Sequence, residues 1–499
     1  MKKLLVLPFL FLSLFAFTQL TFQLKGITNK KLESIPSGTN FEMTFLDKDD
    51  YGVMYANFKV NDKNIAIDLN KLEKVSFNIS NIKEFWQVQA LQSGAYQNIL
   101  KSGMQYKMRN ELDEEIIEYA NSLRRNNLIF YDSYLESYLY SIAYKIYPEK
   151  LSDGRPGIVS IIIVKDIVPN AFMASNGTMF VTTGLLSTIN SEAELIAILA
   201  HEISHFVLDH NIVNINKALQ RQKRAEFWAA LATTVAAVAD GYIAANNEYY
   251  TPGALTMSTA ILSYSIAESI NERLGLKFSR EQETDADKYA VELMKYIKTD
   301  PLALSSALEK IKKYCINTGN YLALSGEGTH PALDDRISKI GTPIKFEDKN
   351  YDVYVSLVNS SNAILEFNKH HFSDCYNLVS RNVNAKVGTE DDYLLMALVN
   401  INTYDTPEKN LESLEYIAKA KSLKVCPSIN LSKVEAIINL RLKKKNEALA
   451  SLSKYREILE KETSGLDKIL NASEWSAKNN FLSIEMDWTL KMINKVNNM

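Results

Sequence analysis

A buried helix that carries several ionisable side chains is the feature that most constrains this chain. The stretch LAHEISHFVLDH, Leu199 to His210, holds three of the six histidines and two carboxylates among otherwise apolar residues. Ser191 followed by Glu194 is typical of a helix N-terminus, and apolar side chains cover nearly every side of the helix. Burying these polar groups without partners would cost on the order of several kcal/mol. The fold must therefore supply partners inside a core.

A divalent metal ion is the partner that the spacing favours. His201 and His205 are four residues apart, so both imidazoles lie on one face of the helix. Their ring nitrogens can bind one tetrahedral Zn²⁺. Glu202 lies off that pair but within reach of a water on the metal, where it can act as general base. The alternative is a coincidental HExxH on a core helix, which the scarcity of histidine and the burial cost both disfavour.

Glu283 is the candidate for the third protein ligand that such a site needs. In FSREQETDADKYAVELMKYI, apolar residues recur at helical spacing from Ala286 to Ile297, and Glu283 falls on the same face. A carboxylate that points into a core needs a partner, and zinc would supply it. His210, five residues after His205, lies about 140° further round the helix and is expected to be structural.

Asp287 lies one helical turn further along the face that carries the third ligand. Its carboxylate can accept a hydrogen bond from the non-ligating nitrogen of His201 or His205, which would fix the tautomer and orientation of that ring. Glu281 and Asp285 lie wholly or mostly off this face, and we expect both to be solvated.

Three motifs together resemble a known family of zinc peptidases. HEISH, SREQETDAD and THPALDDRI are similar to the HExxH, SRxxExxAD and HPxxxxRI elements of the CAAX-prenyl-endopeptidase/HtpX-like metallopeptidases, which are gluzincins. NAFMASNGTMFVTTGLL is similar to the strand-turn-strand that precedes their active-site helix. The resemblance covers about 170–340 and implies a zincin-type domain that holds one Zn²⁺ per chain and acts as a zinc metalloendopeptidase, a hydrolase. Exported, BepA-like members of this family carry helical repeats after the protease domain.

The resemblance also implies roles for individual residues. His330 matches a family histidine that approaches the metal from a loop, where it either caps the free coordination position or steadies the transition-state oxyanion. On the helices, the family pattern implies zinc binding by His201, His205 and Glu283, general-base catalysis by Glu202, and orientation of a ligand by Asp287.

Two further features near the motifs are candidates for contacts with substrate. Arg280 is expected to pair with a carboxylate or with substrate, with a structural ion pair as the alternative. The segment Asn170 to Met173, which includes Ala171 and Phe172, is expected to form an exposed strand. Such a strand can hold an extended peptide by backbone hydrogen bonds.

The N-terminus has the layout of a secretory signal peptide. Lys2 and Lys3 precede the apolar run Leu4 to Phe17, and polar residues begin at Thr18. The run is short for a bilayer span, so residues 1–19 are expected to be a cleaved signal, with an uncleaved anchor as the alternative. The net charge of −3 gives no electrostatic case for nucleic acid as a partner.

Two uncharged segments lie between the proposed ligand helices. Phe227 to Ala239 is interrupted by Asp240, and Tyr249 to Ala267 contains Pro252 and many hydroxyl side chains, so neither is apolar enough to insert well. We expect a helical hairpin that acts as a lid and restricts the site to unfolded or extended segments. A hairpin that makes peripheral contact with the membrane is the alternative.

The C-terminal third has a repeated helical layout. Segments that begin at Ala363, Ala397 and Ala436 each combine an apolar helix end, a polar turn and an amphipathic helix, at offsets of 34 and 39 residues. A 34-residue period is that of tetratricopeptide (TPR) repeats, which offer a concave surface to protein partners. Generic helical packing is the alternative. The histidines at 370–371 are expected to be solvated turn residues.

The sequence therefore predicts a mainly α fold with a small β-sheet. Its expected parts are a signal peptide (1–19), a small β module (22–80), a zinc metalloprotease domain (85–345) and a TPR-like helical repeat domain (350–499). The expected function is that of an exported, periplasmic or secreted endopeptidase that cleaves unfolded or misassembled envelope proteins. Its partners would be protein or peptide substrates and envelope assembly proteins that dock on the repeats. The alternative is a chaperone or scaffold whose protease site is normally plugged.

Overall fold

A computed structural model describes most of the chain, namely residues 20–49, 53–96, 103–151, 155, 157–158, 160–221, 278–318, 333–423, 430–465 and 472–498. The predicted signal peptide, the proposed lid segments and His330 lie outside the described residues. Contacts divide the chain into two units, Met1–Ser102 with Lys150–Arg155 and Gly103–Glu149 with Pro156–Met499. The domain boundaries drawn from the sequence remain predictions.

The first unit is built on an antiparallel sheet of strand order β4-β3-β2-β1-β5. Its strands alternate buried and exposed side chains, as expected for a sheet with one face on a core. Asn61 and Asp62 join β3 to β4 with φ angles of 47° and 61°, values that these residue types tolerate in a hairpin turn. The elements are β1 (Leu20–Thr28), β2 (Asn40–Lys48), β3 (Met54–Val60), β4 (Lys63–Asp68), a 3₁₀ helix (Leu69–Lys74), β5 (Val75–Phe77) and α1 (Ile82–Gln92).

The second unit contains a three-stranded sheet that is surrounded by helices in the order of the chain. Strand β8 is central, parallel to β6 and antiparallel to β7, and all five of its residues are buried. The turn between β7 and β8 contains Gly177 at φ 84°, and the two strands are the strand-turn-strand that the segment NAFMASNGTMFVTTGLL resembles. The elements are α2 (Gly103–Arg125), α3 (Ser133–Ile146), β6 (Ser160–Val164), β7 (Ala171–Met173), β8 (Thr178–Thr182), α4 (Thr183–Thr188), α5 (Glu192–Val207), α6 (His210–Arg221), α7 (Arg280–Tyr296), α8 (Leu302–Asn317) and α9 (Leu333–Ile340).

Helices make up the rest of the described chain, and consecutive helices pack against one another. The mainly α fold with a small β-sheet predicted from the sequence is confirmed. Within the described residues, every helix is too short or too polar to cross a membrane. The helices are α10 (Lys349–Tyr354), α11 (Ser356–Asn368), α12 (Phe372–Asn384), α13 (Glu390–Thr403), α14 (Pro407–Ser422), α15 (Asn430–Arg441), α16 (Lys445–Ser464) and α17 (Ala472–Asn497).

The C-terminal helices contact α4, which directly precedes the HExxH helix α5. Tyr351 Oη donates to the carbonyl of Leu186 at 2.7 Å, and that tyrosine is fully buried. Asn362 Nδ2 donates to Ser187 Oγ at 2.8 Å, and the Arg381 guanidinium donates to carbonyls at the end of α4. These hydrogen bonds satisfy backbone acceptors that the end of a short helix would otherwise leave unpaired.

Candidate metal centre

Helix α5 begins at a cap that also ties it to α8. Ser191 accepts a hydrogen bond from the Glu194 amide, which is half of the capping box expected from the sequence. The Glu194 carboxylate accepts from the Asn190 amide instead of completing the box. Glu194 is fully buried and also accepts from Ser306 Oγ at 2.6 Å and from Lys310 Nζ at 2.6 and 2.8 Å. The N-terminus of the HExxH helix is therefore held by an ion pair between a buried carboxylate and the partly buried ammonium of Lys310.

Helix α7 presents its acidic residues as the sequence predicts. A complete capping box between Ser279 and Gln282 starts the helix. Glu283 and Asp287 are buried at 1% and 6% exposure, while Glu281 and Asp285 are exposed. Because α7 packs on α5, the two buried carboxylates lie against the histidine-bearing face of α5.

The structure brings His201, His205 and Glu283 together around one point. The two Nε2 atoms lie 3.1 Å apart. Glu283 Oε2 lies 3.5 Å from His201 Nε2, and Glu283 Oε1 lies 3.5 Å from His205 Nε2. All three side chains are 1–3% exposed. These three residues form a buried cluster whose donor atoms could hold one metal ion.

The donor atoms have the separations that a tetrahedral ion requires. Zinc bonds of about 2.0–2.1 Å at tetrahedral angles place ligand atoms about 3.3–3.4 Å apart. The two Nε2 atoms are 3.1 Å apart, and each lies 3.5 Å from a different oxygen of Glu283. Two imidazoles and one carboxylate are also a donor set that zinc uses in catalytic sites. The cluster therefore fits a zinc ion with a further coordination position for water or substrate.

Asp287 orients one of the two histidines. Its Oδ1 lies 2.9 Å from His201 Nδ1, the nitrogen opposite the one that faces the cluster. With Nε2 directed at a metal, Nδ1 carries the proton and donates to Asp287, which fixes the ring. The sequence left open which of the two histidines Asp287 would orient, and the structure pairs Asp287 with His201.

His205 is held by two residues that the sequence did not assign to the site. Its Nδ1 lies 2.9 Å from His210 Nδ1, and its ring stacks on Phe278 with a centroid separation of 3.6 Å. Helix α5 ends at Val207, and Asp209 adopts φ 62°, so the chain turns before α6 starts at His210. Extrapolating one continuous helix placed His210 away from the metal face, whereas this turn brings it to the outer nitrogen of His205. His210 contacts a candidate ligand without belonging to the metal cluster.

Arg336 is the main residue at this site that sequence reasoning missed. It comes from α9, is 4% exposed, and donates to Asp287 through Nε and Nη2 at 2.8 and 2.7 Å. Its Nη1 lies 2.6 Å from Glu283 Oε2. It is the arginine of the HPxxxxRI motif in THPALDDRI, so the motif itself was the signal that could have found it.

The charges around His201 create a strong preference for a cation at its ring. Burial and the Arg336 cation act to lower the pKa of His201, but hydrogen bonds with Asp287 and Glu283 raise it to about 9. Burial acts to raise the pKa of Asp287, yet Arg336 and His201 outweigh it and keep this carboxylate ionised. A divalent ion between the imidazoles would take the place of the proton, because the same carboxylates attract it.

Three further residues predicted for the site, Glu202, Arg280 and His330, differ in where they lie relative to the metal cluster. Glu202 is buried at 4% exposure. Burial acts to lower the pKa of Arg336, whereas the carboxylates of Asp287, Glu283 and, to a smaller extent, Glu202 raise it. Arg280 is exposed at the start of α7, and its side chain has no hydrogen bond or ion pair with other described residues. The structure does not bring Arg280 to the cluster. His330 lies outside the described residues.

Strand β7 is an edge strand of its sheet, beside α5. The prediction of an exposed strand here is wrong for its side chains, because Ala171 and Phe172 are buried, at 5% and 7% exposure, and Phe172 stacks on Phe180. Asn170 exchanges hydrogen bonds with Thr182. Contacts of this segment with a peptide would therefore come from its backbone edge rather than from exposed side chains.

A buried HExxH helix, a glutamate from a second helix and hydrogen bonds that orient the two histidines are features of metallopeptidase sites. Residues 137–344 match the model of peptidase family M48. The chain therefore contains a peptidase family M48 domain, which confirms the resemblance drawn from the motifs.

Named relatives of this domain are also peptidases. The chain is 30% identical over 178 residues to mitochondrial metalloendopeptidase OMA1 from Schizosaccharomyces pombe. This alignment covers 36% of this chain and 44% of the relative. It is 28% identical over 189 residues to metalloprotease LoiP from Escherichia coli, covering 38% and 63%. It is 25% identical over 223 residues to the beta-barrel assembly-enhancing protease of Escherichia coli, covering 44% and 41%. The chain thus spans less than two thirds of each of these relatives.

Proposed function

We propose that this chain is an exported zinc endopeptidase of the cell envelope that hydrolyses unfolded or misassembled proteins. The observation that carries the proposal is the geometry of three buried side chains. The two imidazole Nε2 atoms lie 3.1 Å apart, and each lies 3.5 Å from a different carboxylate oxygen of Glu283. The hydrogen bonds of Asp287 and His210 to the outer nitrogens of the two histidines support it.

His201, His205 and Glu283 would hold the zinc ion in this proposal. When bound, zinc would supply a Lewis acid for the scissile carbonyl and for the attacking water. Glu202 adjoins His201 on α5, where it would accept the proton of that water and return one to the leaving amine. Asp287 and His210 would keep the imidazoles oriented throughout. The edge of β7 away from β8, at Ala171 and Phe172, would hold an extended substrate by backbone hydrogen bonds. Asn170, whose own backbone groups bond to Thr182, would fix the start of that strand.

The envelope location and the docking role belong to the proposal as well. The apolar N-terminal run after Lys2 and Lys3 supports export, and relatives named beta-barrel assembly-enhancing protease support an envelope role. The helices from α11 to α17 would offer a TPR-like surface to envelope partners. Cell fractionation and N-terminal sequencing of the mature protein test export, and a uniformly cytoplasmic, unprocessed chain would contradict it.

The catalytic proposal is tested by Glu202→Gln with casein as the substrate. We expect zinc content to stay at one equivalent in this centre, while hydrolysis falls by at least about 10²-fold because the general base is lost. Glu281→Gln, an exposed glutamate on α7, is the matched control and should keep full activity. Wild-type rates for Glu202→Gln would refute the assigned role.

The ligand set is tested by Glu283→Ala. This variant should bind less zinc at the catalytic centre and lose hydrolysis, because one of three protein ligands is removed. Unchanged zinc affinity would exclude Glu283 as a ligand.

A further inference from the structure

The turn between α11 and α12 holds a second group of side chains that could bind a metal. Glu366, His371 and Asp374 each offer one donor atom, and these atoms all lie within 4.8 Å of one another. The group lies after the residues that match the M48 model, 137–344, and includes none of the candidate ligands of that domain. His371, expected from the sequence to be simply solvated, has its Nδ1 2.7 Å from Glu366 Oε2.

The backbone brings these residues together through a Schellman turn at the end of α11. His370 adopts φ 63°, its amide donates to the carbonyl of Phe367, and the His371 amide donates to the carbonyl of Glu366. In this motif, the side chains at the positions of Glu366 and His371 normally make a hydrophobic contact. Here both are metal-binding types, and Asp374 follows in the first turn of α12.

Glu366 is the buried member of this group. Its side chain is 7% exposed, and its Oε2 atom lies 2.7 Å from His371 Nδ1. A buried carboxylate needs a charged or hydrogen-bonding partner, and a cation held between Glu366, His371 and Asp374 would be such a partner.

We propose that Glu366, His371 and Asp374 form a second divalent-metal site that joins α11 to α12. One imidazole and two carboxylates suit first-row transition ions such as Zn²⁺ better than Mg²⁺ or Ca²⁺, which bind oxygen almost exclusively. His371 and Asp374 are solvent-accessible, so an ion can enter and rotation of these two side chains can close the coordination sphere. Water would fill the remaining positions.

Zinc stoichiometry of the full chain tests this site, measured by metal analysis and by competition with a chromophoric chelator. We expect two equivalents in the wild type and one in His371→Ala. The His205→Ala variant should also bind one equivalent of zinc, and the variant that combines His205→Ala with His371→Ala should bind none. The matched control is His370→Asn, which removes the neighbouring histidine but tolerates its positive φ; it should keep two equivalents.

A second variant covers the case in which His371→Ala fails to fold. Asp374→Asn keeps the size of an exposed side chain, and we expect it to weaken the second equivalent at least tenfold while leaving the first unchanged. If wild type and His371→Ala bind zinc equally, Glu366 and His371 form only a hydrogen-bonded helix cap and the proposal is overturned. This result would not affect the catalytic proposal, which depends on His205 and Glu283.

Discussion

Arg336 and Asp287 form a buried two-point ion pair next to the candidate metal centre. Two guanidinium nitrogens donate to the two carboxylate oxygens at 2.8 and 2.7 Å, and the side chains are 5% and 8% exposed. Because Asp287 also lies 2.9 Å from His201 Nδ1, Arg336 acts on His201 through Asp287. Its Nη1 also contacts the candidate ligand Glu283 directly, at 2.6 Å. Arg336 is therefore a positioning residue.

Replacing Arg336 with lysine should weaken zinc binding while retaining the positive charge. A lysine ammonium cannot make the two parallel hydrogen bonds of a guanidinium, so Asp287 would hold His201 less firmly. We expect zinc affinity to fall about 10- to 100-fold, as for other changes behind metal ligands. Chelator competition measures this, and Lys339→Gln on the exposed side of α9 is the control. Equal affinities for Arg336→Lys and wild type would contradict the positioning role.

His210 should matter through the acceptor that it offers to His205. In His210→Ala the Nδ1 proton of His205 loses its acceptor, and we expect zinc affinity to fall about 10- to 100-fold. In His210→Asn the Oδ1 atom stands near the position of the lost Nδ1 and should restore much of the affinity. The difference between these two variants, measured by zinc competition, separates hydrogen bonding from packing. If both bind zinc as tightly as the wild type, the contact at 2.9 Å has no role in the site.

His330 distinguishes a working protease from a plugged one. If it steadies the oxyanion, His330→Ala should lower kcat by about 10²–10³-fold with little change in KM, since the contact forms only in the transition state. A rise in casein hydrolysis would instead show that this histidine caps the metal and would favour the chaperone or scaffold alternative. Steady-state kinetics at fixed zinc saturation decides between these results.

Asp166 should make stability fall as the pH rises through the mildly acidic range. Burial raises its pKa from 3.8 to about 6, although the amide of Val168 and the charge of Lys369 act in the opposite direction. The folded state therefore binds more protons than the unfolded state between about pH 4 and 6, and this stabilisation is lost as the pH rises through 6. Above that pH the ionised carboxylate costs up to about 3 kcal/mol.

Asp166→Asn tests this expectation because an amide oxygen can still accept from Val168, whose N–H bonds to Asp166 Oδ1 at 2.9 Å. The variant should unfold at higher urea than the wild type at pH 8, with the difference shrinking toward pH 4. Parallel urea curves at pH 4, 6 and 8 measure it. A difference independent of pH would mean that Asp166 does not titrate in this range.

The sequence alone determined the residues that bear the chemistry. Spacing of four residues puts His201 and His205 on one face of any α-helix, and the apolar stripe of α7 places Glu283 and Asp287 on its buried face. These are local consequences of helix geometry, so they hold whatever the rest of the chain does. The motifs HEISH, SREQETDAD and THPALDDRI also indicated which peptidase family the chain resembles.

Only the tertiary structure decided how those residues are paired. Three pairings depend on how separate helices pack: the contact of Asp287 with His201, the approach of Arg336 from α9, and the ion pair of Glu194 with Lys310. His210 reaches His205 because α5 stops at Val207 and the chain reverses at Asp209. Such contacts join residues whose separation along the chain carries no periodic signal, so helical spacing cannot predict them.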